Sequence, residues 1–200
     1  MHDPLYGGIV LAAGASRRMG SPKALLETPD GVPLAIHQAV LLQKVGCVNV
    51  GIVVGSEGST LAEQLSFQSV WCHDAWETGR TSSVCCGLRN MPELDGYFIL
   101  PVDTAGVGLR TLEVMRKAAM SLRPKAVRPM YRDQPGHLAW ISRNLAEEFL
   151  QVDSTPQLRL NERIDPIAVQ VPVEDSAVLH NVNTPEEWQA AKQEMGSSQG

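Results

Sequence analysis

An apolar segment, Gly8-Ile9-Val10-Leu11, runs without a break into Ala12-Ala13-Gly14-Ala15-Ser16-Arg17-Arg18-Met19-Gly20-Ser21-Pro22-Lys23. The first part reads as a strand over residues 8–12. The second is a loop of small residues, which lets backbone N–H groups come close to an anion with no side chain in the way. Two arginines and a lysine then bring positive charge to the same place, where a polyphosphate would lie. A strand feeding a glycine-containing loop and then a helix is a ready phosphate site. The spacing is neither G-x-x-x-x-G-K-[ST] nor G-x-G-x-x-G, so a different kind of nucleotide loop is in play.

The rest of the chain reads as alternating apolar runs and amphipathic segments, the pattern of βαβ units around a largely parallel sheet. Helix spacing over 33–45 ends at Gly46, and Val48–Val54 is a second strand. A short helix over 60–65, a short strand over 69–72, a helix over 81–90, a buried strand over 97–100 and a helix over 109–121 follow. Beyond that the pattern changes. Lys125–Arg128 and His137–Ile141 read as a hairpin around a turn near Asp133-Gln134-Pro135-Gly136. Helices are expected over 142–151 and 156–161, a strand open to antiparallel pairing over 164–171, and a last helix over 184–195 with Pro185 in its first turn. The expected organisation is one α/β domain over 1–195, three layers deep with a mostly parallel mixed sheet, and a disordered tail over 196–200.

Composition narrows the function. The net charge of −5 argues against a general nucleic-acid binder, which would carry a basic face. No apolar stretch reaches transmembrane length, and the N-terminus lacks the pattern of a secretory signal, so a cytoplasmic protein with no membrane partner is expected. Cys47, Cys72, Cys85 and Cys86 form no C-x-x-C pair, and buried free thiols are the expectation.

An open α/β sheet binds ligands at the carboxyl ends of its strands. That rule places the opening loop, Asp103 and the turn near Gly79 on one rim. Asp103 ends the apolar strand in Pro101-Val102-Asp103-Thr104-Ala105-Gly106. Magnesium needs few protein ligands where phosphates and waters supply the others, so one aspartate can anchor it; the alternative is a helix N-cap. In Trp76-Glu77-Thr78-Gly79-Arg80-Thr81-Ser82-Ser83, hydroxyls and amides at a helix start can read base edges or simply cap the helix. His137, after Pro135-Gly136, is either a turn residue or a contact for a phosphate.

The opening L-A-A-G-x-S-x-R-M-G-x-x-K resembles the first loop of nucleotidyltransferases with a Rossmann-like fold, and most closely the molybdenum-cofactor group, the MobA-like NTP transferases. The similarity extends from Ile9 to about Glu187. It implies transfer of a nucleoside monophosphate from an NTP to a phosphate-bearing acceptor, molybdopterin, with a recipient molybdoenzyme downstream. The corresponding family motif, P-x-D-x-P, supplies the metal aspartate; this chain has Ala105 in place of the second proline. The family's G-x-x-G-H-P turn keeps its histidine here as His137, followed by Leu138. Asn181-Val182-Asn183-Thr184-Pro185-Glu186-Glu187 resembles the terminal segment from which related enzymes complete the metal shell.

The resemblance therefore implies a nucleotide site of Leu11, Ala12, Ala13, Gly14, Ser16, Gly79, Thr81 and Ser82. It implies catalysis by Arg18, Lys23 and Asp103, magnesium on Asp103 and Asn183, with Asn181 left open as the ligating asparagine, and acceptor contact by His137. Family members that transfer cytidylate carry L-A-A-G and those that transfer guanylate carry L-A-G-G. Ala13 leaves less room for a purine, which favours CTP. Two other readings stand beside this one: transfer to a sugar phosphate or another small phosphate, and a non-catalytic accessory protein for the cofactor.

Overall fold

The computed structural model describes residues 3–55, 58–152 and 159–197. Its central strand, β1 (Tyr6–Ala12), is buried at every position. Side chains alternate across a strand, so Tyr6, Val10 and Ala12 enter one apolar cluster, while Ile9 and Leu11 enter a second on the other face. A strand buried on both faces belongs inside a parallel sheet covered by helices. β2 (Cys47–Val54) and β4 (Gly96–Pro101) flank β1 in parallel, and β3 (Val70–Cys72) extends the sheet beyond β2. The helices divide between the faces. α1 (Leu34–Lys44), α2 (Gly58–Leu65), α4 (Leu109–Leu122) and α7 (Pro185–Ser197) pack into the first cluster. α3 (Arg80–Asn90), α5 (Arg143–Val152) and α6 (Leu160–Ile164) line the second. The result is the expected three-layer, Rossmann-like α/β/α fold.

Close packing favours a glycine at one point of this seam. A Cβ on Gly8 would lie 3.0 Å from Leu42 side-chain atoms, so α1 sits close enough against β1 that any larger residue would have to push Leu42 aside. Gly46, at φ +99°, turns the chain after α1 in the left-handed region that glycine adopts without strain.

The second half of the sheet is mixed. β5 (Ala126–Tyr131) and β7 (Ala139–Ser142) are antiparallel, and β7 inserts antiparallel beside β4. β6 (Gln134–Pro135) pairs with Met130 and Tyr131 at the hairpin tip, so β6 and β7 share one edge of β5. The other edge takes β8 (Ala168–Pro172), in parallel. The antiparallel pairing allowed for 164–171 is thus corrected. Only Val171 of β8 is buried, so its pattern carries little directional information. The helix expected over 156–161 overlaps residues 153–158, which lie outside the described residues; the described helix there is α6. The last helix continues through Ser197, past the expected start of the tail, and residues 198–200 lie outside the described ones. Among the described residues no helix is long and apolar enough to cross a membrane. Three of the four cysteines are buried as expected, whereas Cys72, on the outer strand β3, is exposed.

Candidate active site

The carboxyl ends of β1 and β4 lie side by side where the sheet changes direction, the place at which such sheets bind ligands. A cleft of about 280 Å³ opens there, lined among others by Ala13, Gly14, Ser16, Lys23, Arg80 and Asp103. The opening loop, the turn at Gly79 and Asp103 therefore meet on one rim.

Each wall is fixed locally. Met19 is buried and anchors the loop, and its N–H donates to the Ser16 carbonyl at 2.9 Å. Ser16 adopts φ +49°, and its hydroxyl accepts from the Lys23 N–H at 3.1 Å. Ser16 thus ties the end of the loop to the start of the Lys23–Leu25 turn of 3-10 helix. Nothing lies within 4 Å of a Cβ placed on Gly14, so the backbone there is open to a ligand. Leu11, Ala12 and Ala13 are buried; Leu11 and Ala13 line the cleft, and Ala12 faces the opposite layer. Arg18 is exposed and stands outside the lining, close enough for its charge to act on Lys23.

Lys23 is the hub. Its ammonium donates to Asn183 Oδ1 at 2.8 Å and lies 3.7 Å from the Asp103 carboxylate. Burial, with the like charge of Arg18, pulls the Lys23 pKa below the ordinary lysine value, against the opposing pull of Asp103. A cation disfavoured by burial gains from an incoming anion. Asp103 caps no helix: α4 starts six residues later, where the Gly108 N–H and the Thr111 hydroxyl donate to Asp175 at 2.9 and 2.7 Å. Asn183 is held from behind. Thr184 and Glu187 form a reciprocal capping box at the start of α7, and the Glu187 carboxylate also accepts from the Asn183 N–H. This leaves the Asn183 side chain to face Lys23, while its amide nitrogen donates to Asn181 O at 2.6 Å. Of the two asparagines, Asn183 is the one whose side chain reaches the site.

A carboxylate and an amide oxygen converging on one ammonium form a hard-oxygen donor set. It suits magnesium or a similar ion that takes most of its ligands from phosphates and water. Among the described residues no group of three or more His, Cys, Asp and Glu side chains could hold a metal alone; Asp103 and Asn183, both turned to the Lys23 ammonium, are the oxygen donors here that could contribute to one.

The far wall differs in detail from the sequence expectation. Gly79 has φ +119°, and α3 begins at Arg80, with its N-terminal end at the cleft. The Ser82 hydroxyl donates to Gly79 O at 2.7 Å and meets His73 Nε2 at 2.9 Å. Ser82 therefore braces the turn; Ser83, Arg80, Trp76 and Glu77 line the cleft, and Thr81 lies half-buried beside them. The Trp76-to-Ser83 motif marked this wall, but residue type alone did not say which side chains turn inward. His137 stands outside the lining, on a turn where its N–H donates to Val178 O at 2.9 Å. Burial, then the charge of Arg80, lowers its pKa; Asp103 opposes this and Arg128 adds to it. The histidine thus lies within the electrostatic reach of both walls.

The family model of the MobA-like NTP transferase domain matches residues 8–164. The chain belongs to this family. A curated member, the probable molybdenum cofactor guanylyltransferase of Synechococcus elongatus, is 28% identical over 193 residues, covering 92% of this chain and 97% of the relative. Among solved structures, a nucleotidyl transferase from Methanothermobacter thermautotroptrophicus superimposes with a TM-score of 0.79 at 18% identity, over 97% of this chain and 99% of that one. A Mycobacterium tuberculosis protein solved in complex with manganese gives 0.72 at 18%, over 94% and 98%. At these identities the structures establish a shared fold.

Proposed function

We propose that this chain transfers a nucleoside monophosphate, CMP from CTP, onto the phosphate of a molybdopterin-type acceptor and releases pyrophosphate. The observation that carries the reading is the meeting of the opening loop, Lys23, Asp103 and Asn183 at one cleft. An acceptor phosphate oxygen attacks the α-phosphorus, and the bond from that phosphorus to the β-phosphate bridging oxygen breaks. The attacking oxygen is already anionic near neutral pH, so positioning and charge neutralisation suffice and no base is needed. The open backbone at Gly14 and the N-terminal end of α3 favour phosphate oxygens. Lys23, with Arg18 nearby, stabilises charge as it moves to the leaving pyrophosphate. Magnesium held by Asp103 and Asn183 supplies further charge neutralisation when bound. His137 faces the acceptor, and the product passes to a recipient molybdoenzyme. Residues 1–195 act as one transferase domain in the cytoplasm.

The choice of CTP rests on Ala13, which lines the cleft and is buried in the second apolar cluster. Its methyl takes up room that a glycine would leave for a purine. The guanylyltransferase names of curated relatives favour GTP as the second reading. A pyrophosphate-release screen of four NTPs, with magnesium, against molybdopterin and simple phosphates tests both. Release with CTP and molybdopterin is expected. Release only with a sugar phosphate would change the acceptor, and no release with any pair would leave a non-catalytic accessory protein.

A further inference from the structure

The turn that carries Asp103 has every carbonyl taken. Gln38, on α1 and only 2% exposed, points its side-chain nitrogen at three of them: Pro101 O and Val102 O at 3.3 Å and Thr104 O at 3.1 Å. The remaining one, that of Asp103 itself, accepts from the Val182 N–H at 2.9 Å. The orientation of the amide is set by chemistry, since an oxygen there would face three other oxygens. At the other end of the amide, Oε1 is buried without a hydrogen-bond partner among the described residues, as is Thr104 Oγ1. An orphaned buried acceptor is costly. The neighbours of Gln38 on the same buried seam are Leu34, Ala35, Ala39 and Leu42, and an apolar residue would satisfy packing alone.

We propose that Gln38 is a positioning residue that presents Asp103 to the metal–triphosphate site. It touches no substrate; it holds the backbone on both sides of the carboxylate while Val182, one residue from Asn183, holds the middle. The inference rests on the proposed function for what Asp103 binds.

The test uses the full chain and its Gln38→Leu variant. Water-proton relaxation titrations follow binding of Mn²⁺–CTP, with Mn²⁺–GTP run in parallel, and calorimetry in EDTA follows the metal-free nucleotides. Partners that orient ligating carboxylates are worth about 10- to 100-fold in metal affinity. Gln38→Leu is therefore expected to weaken the metal-loaded nucleotide about tenfold and the metal-free nucleotide less than about twofold. Equal losses for the two forms, or no loss, would overturn the proposal. Gln38→Glu gives a second arm, because its carboxyl can donate when protonated and repels the carbonyls when ionised. Its deficit against the unaltered chain is expected to grow with rising pH, and a pH-independent deficit contradicts the proposal. If the unaltered chain binds Mn²⁺–nucleotide but releases no pyrophosphate, the transferase reading fails and this inference is still decided by the variants. If it binds no metal-loaded nucleotide, both fail.

Discussion

The two halves of the sheet hold their turns by means that differ in part. In the parallel half, the loop after β1 and the turn after β4 are locked by backbone and buried amide hydrogen bonds: Val102 N–H to Leu11 O at 2.9 Å, Lys23 N–H to Ser16 Oγ at 3.1 Å, and the Gln38 contacts. In the mixed half, the turn bearing His137 adds a buried charge to its backbone bonds, Gly136 N–H to Pro129 O at 2.8 Å and His137 N–H to Val178 O at 2.9 Å. Arg128, 3% exposed, pairs with Asp165 and donates to Gly136 O from the middle of β5. Preorganised groups lose little entropy when a reaction needs them, which suits the half that must stabilise charge at phosphorus. In the proposed reaction, the parallel half would carry the chemistry and the mixed half the affinity for the acceptor.

Asp103→Ala gives the largest effect. It is expected to lower kcat about 10³-fold at saturating magnesium, with the melting temperature little changed; a loss under tenfold would remove the parallel half from the chemistry. Lys23→Ala should cost about 10²-fold in kcat/KM, since it removes one charge from the leaving-group side. Ala13→Gly sharpens the base assignment: the ratio of kcat/KM for CTP over GTP is expected to fall about tenfold, the scale of one methyl group in a packed pocket. His137→Ala tests the other half. The acceptor KM should rise about fivefold with the NTP KM unchanged, as for one lost hydrogen bond; a change in NTP KM instead would blur the division.

The smallest effect is on stability with pH. His37 and His137 both have folded-state pKa values lowered chiefly by burial. As pH falls below about 6.5, the unfolded chain takes up these protons first, so folding stability declines with acidification. Melting curves from pH 7.5 down to 6 check this, and replacing both histidines with Gln should flatten the slope.

The parallel half was legible because its signals are local. β1 and its loop are contiguous, and Asp103 follows directly on a buried strand. What stayed hidden depends on distance or orientation. Asn183 reaches Lys23 across 160 residues, and nothing in its own segment told it from Asn181. Gln38 read as one more residue of an amphipathic helix, because its partners come from a different strand's turn. Ser82 and Ser83 are chemically alike, yet helix phase sends one to His73 and the other to the cleft. The strand expected over 164–171 is there as β8, but its direction escaped for a different reason: it borders only β5 and is mostly half-buried or exposed.

The claim that this cleft performs group transfer, beyond holding a nucleotide, is tested most directly by the fate of label. CTP carrying radioactive phosphorus at the α position, or at the γ position, is incubated with the chain, magnesium and molybdopterin. The account predicts that α-label moves onto the acceptor while γ-label leaves as pyrophosphate, and that both stop with EDTA. Alpha-label recovered as free CMP, or left in CTP, would contradict it.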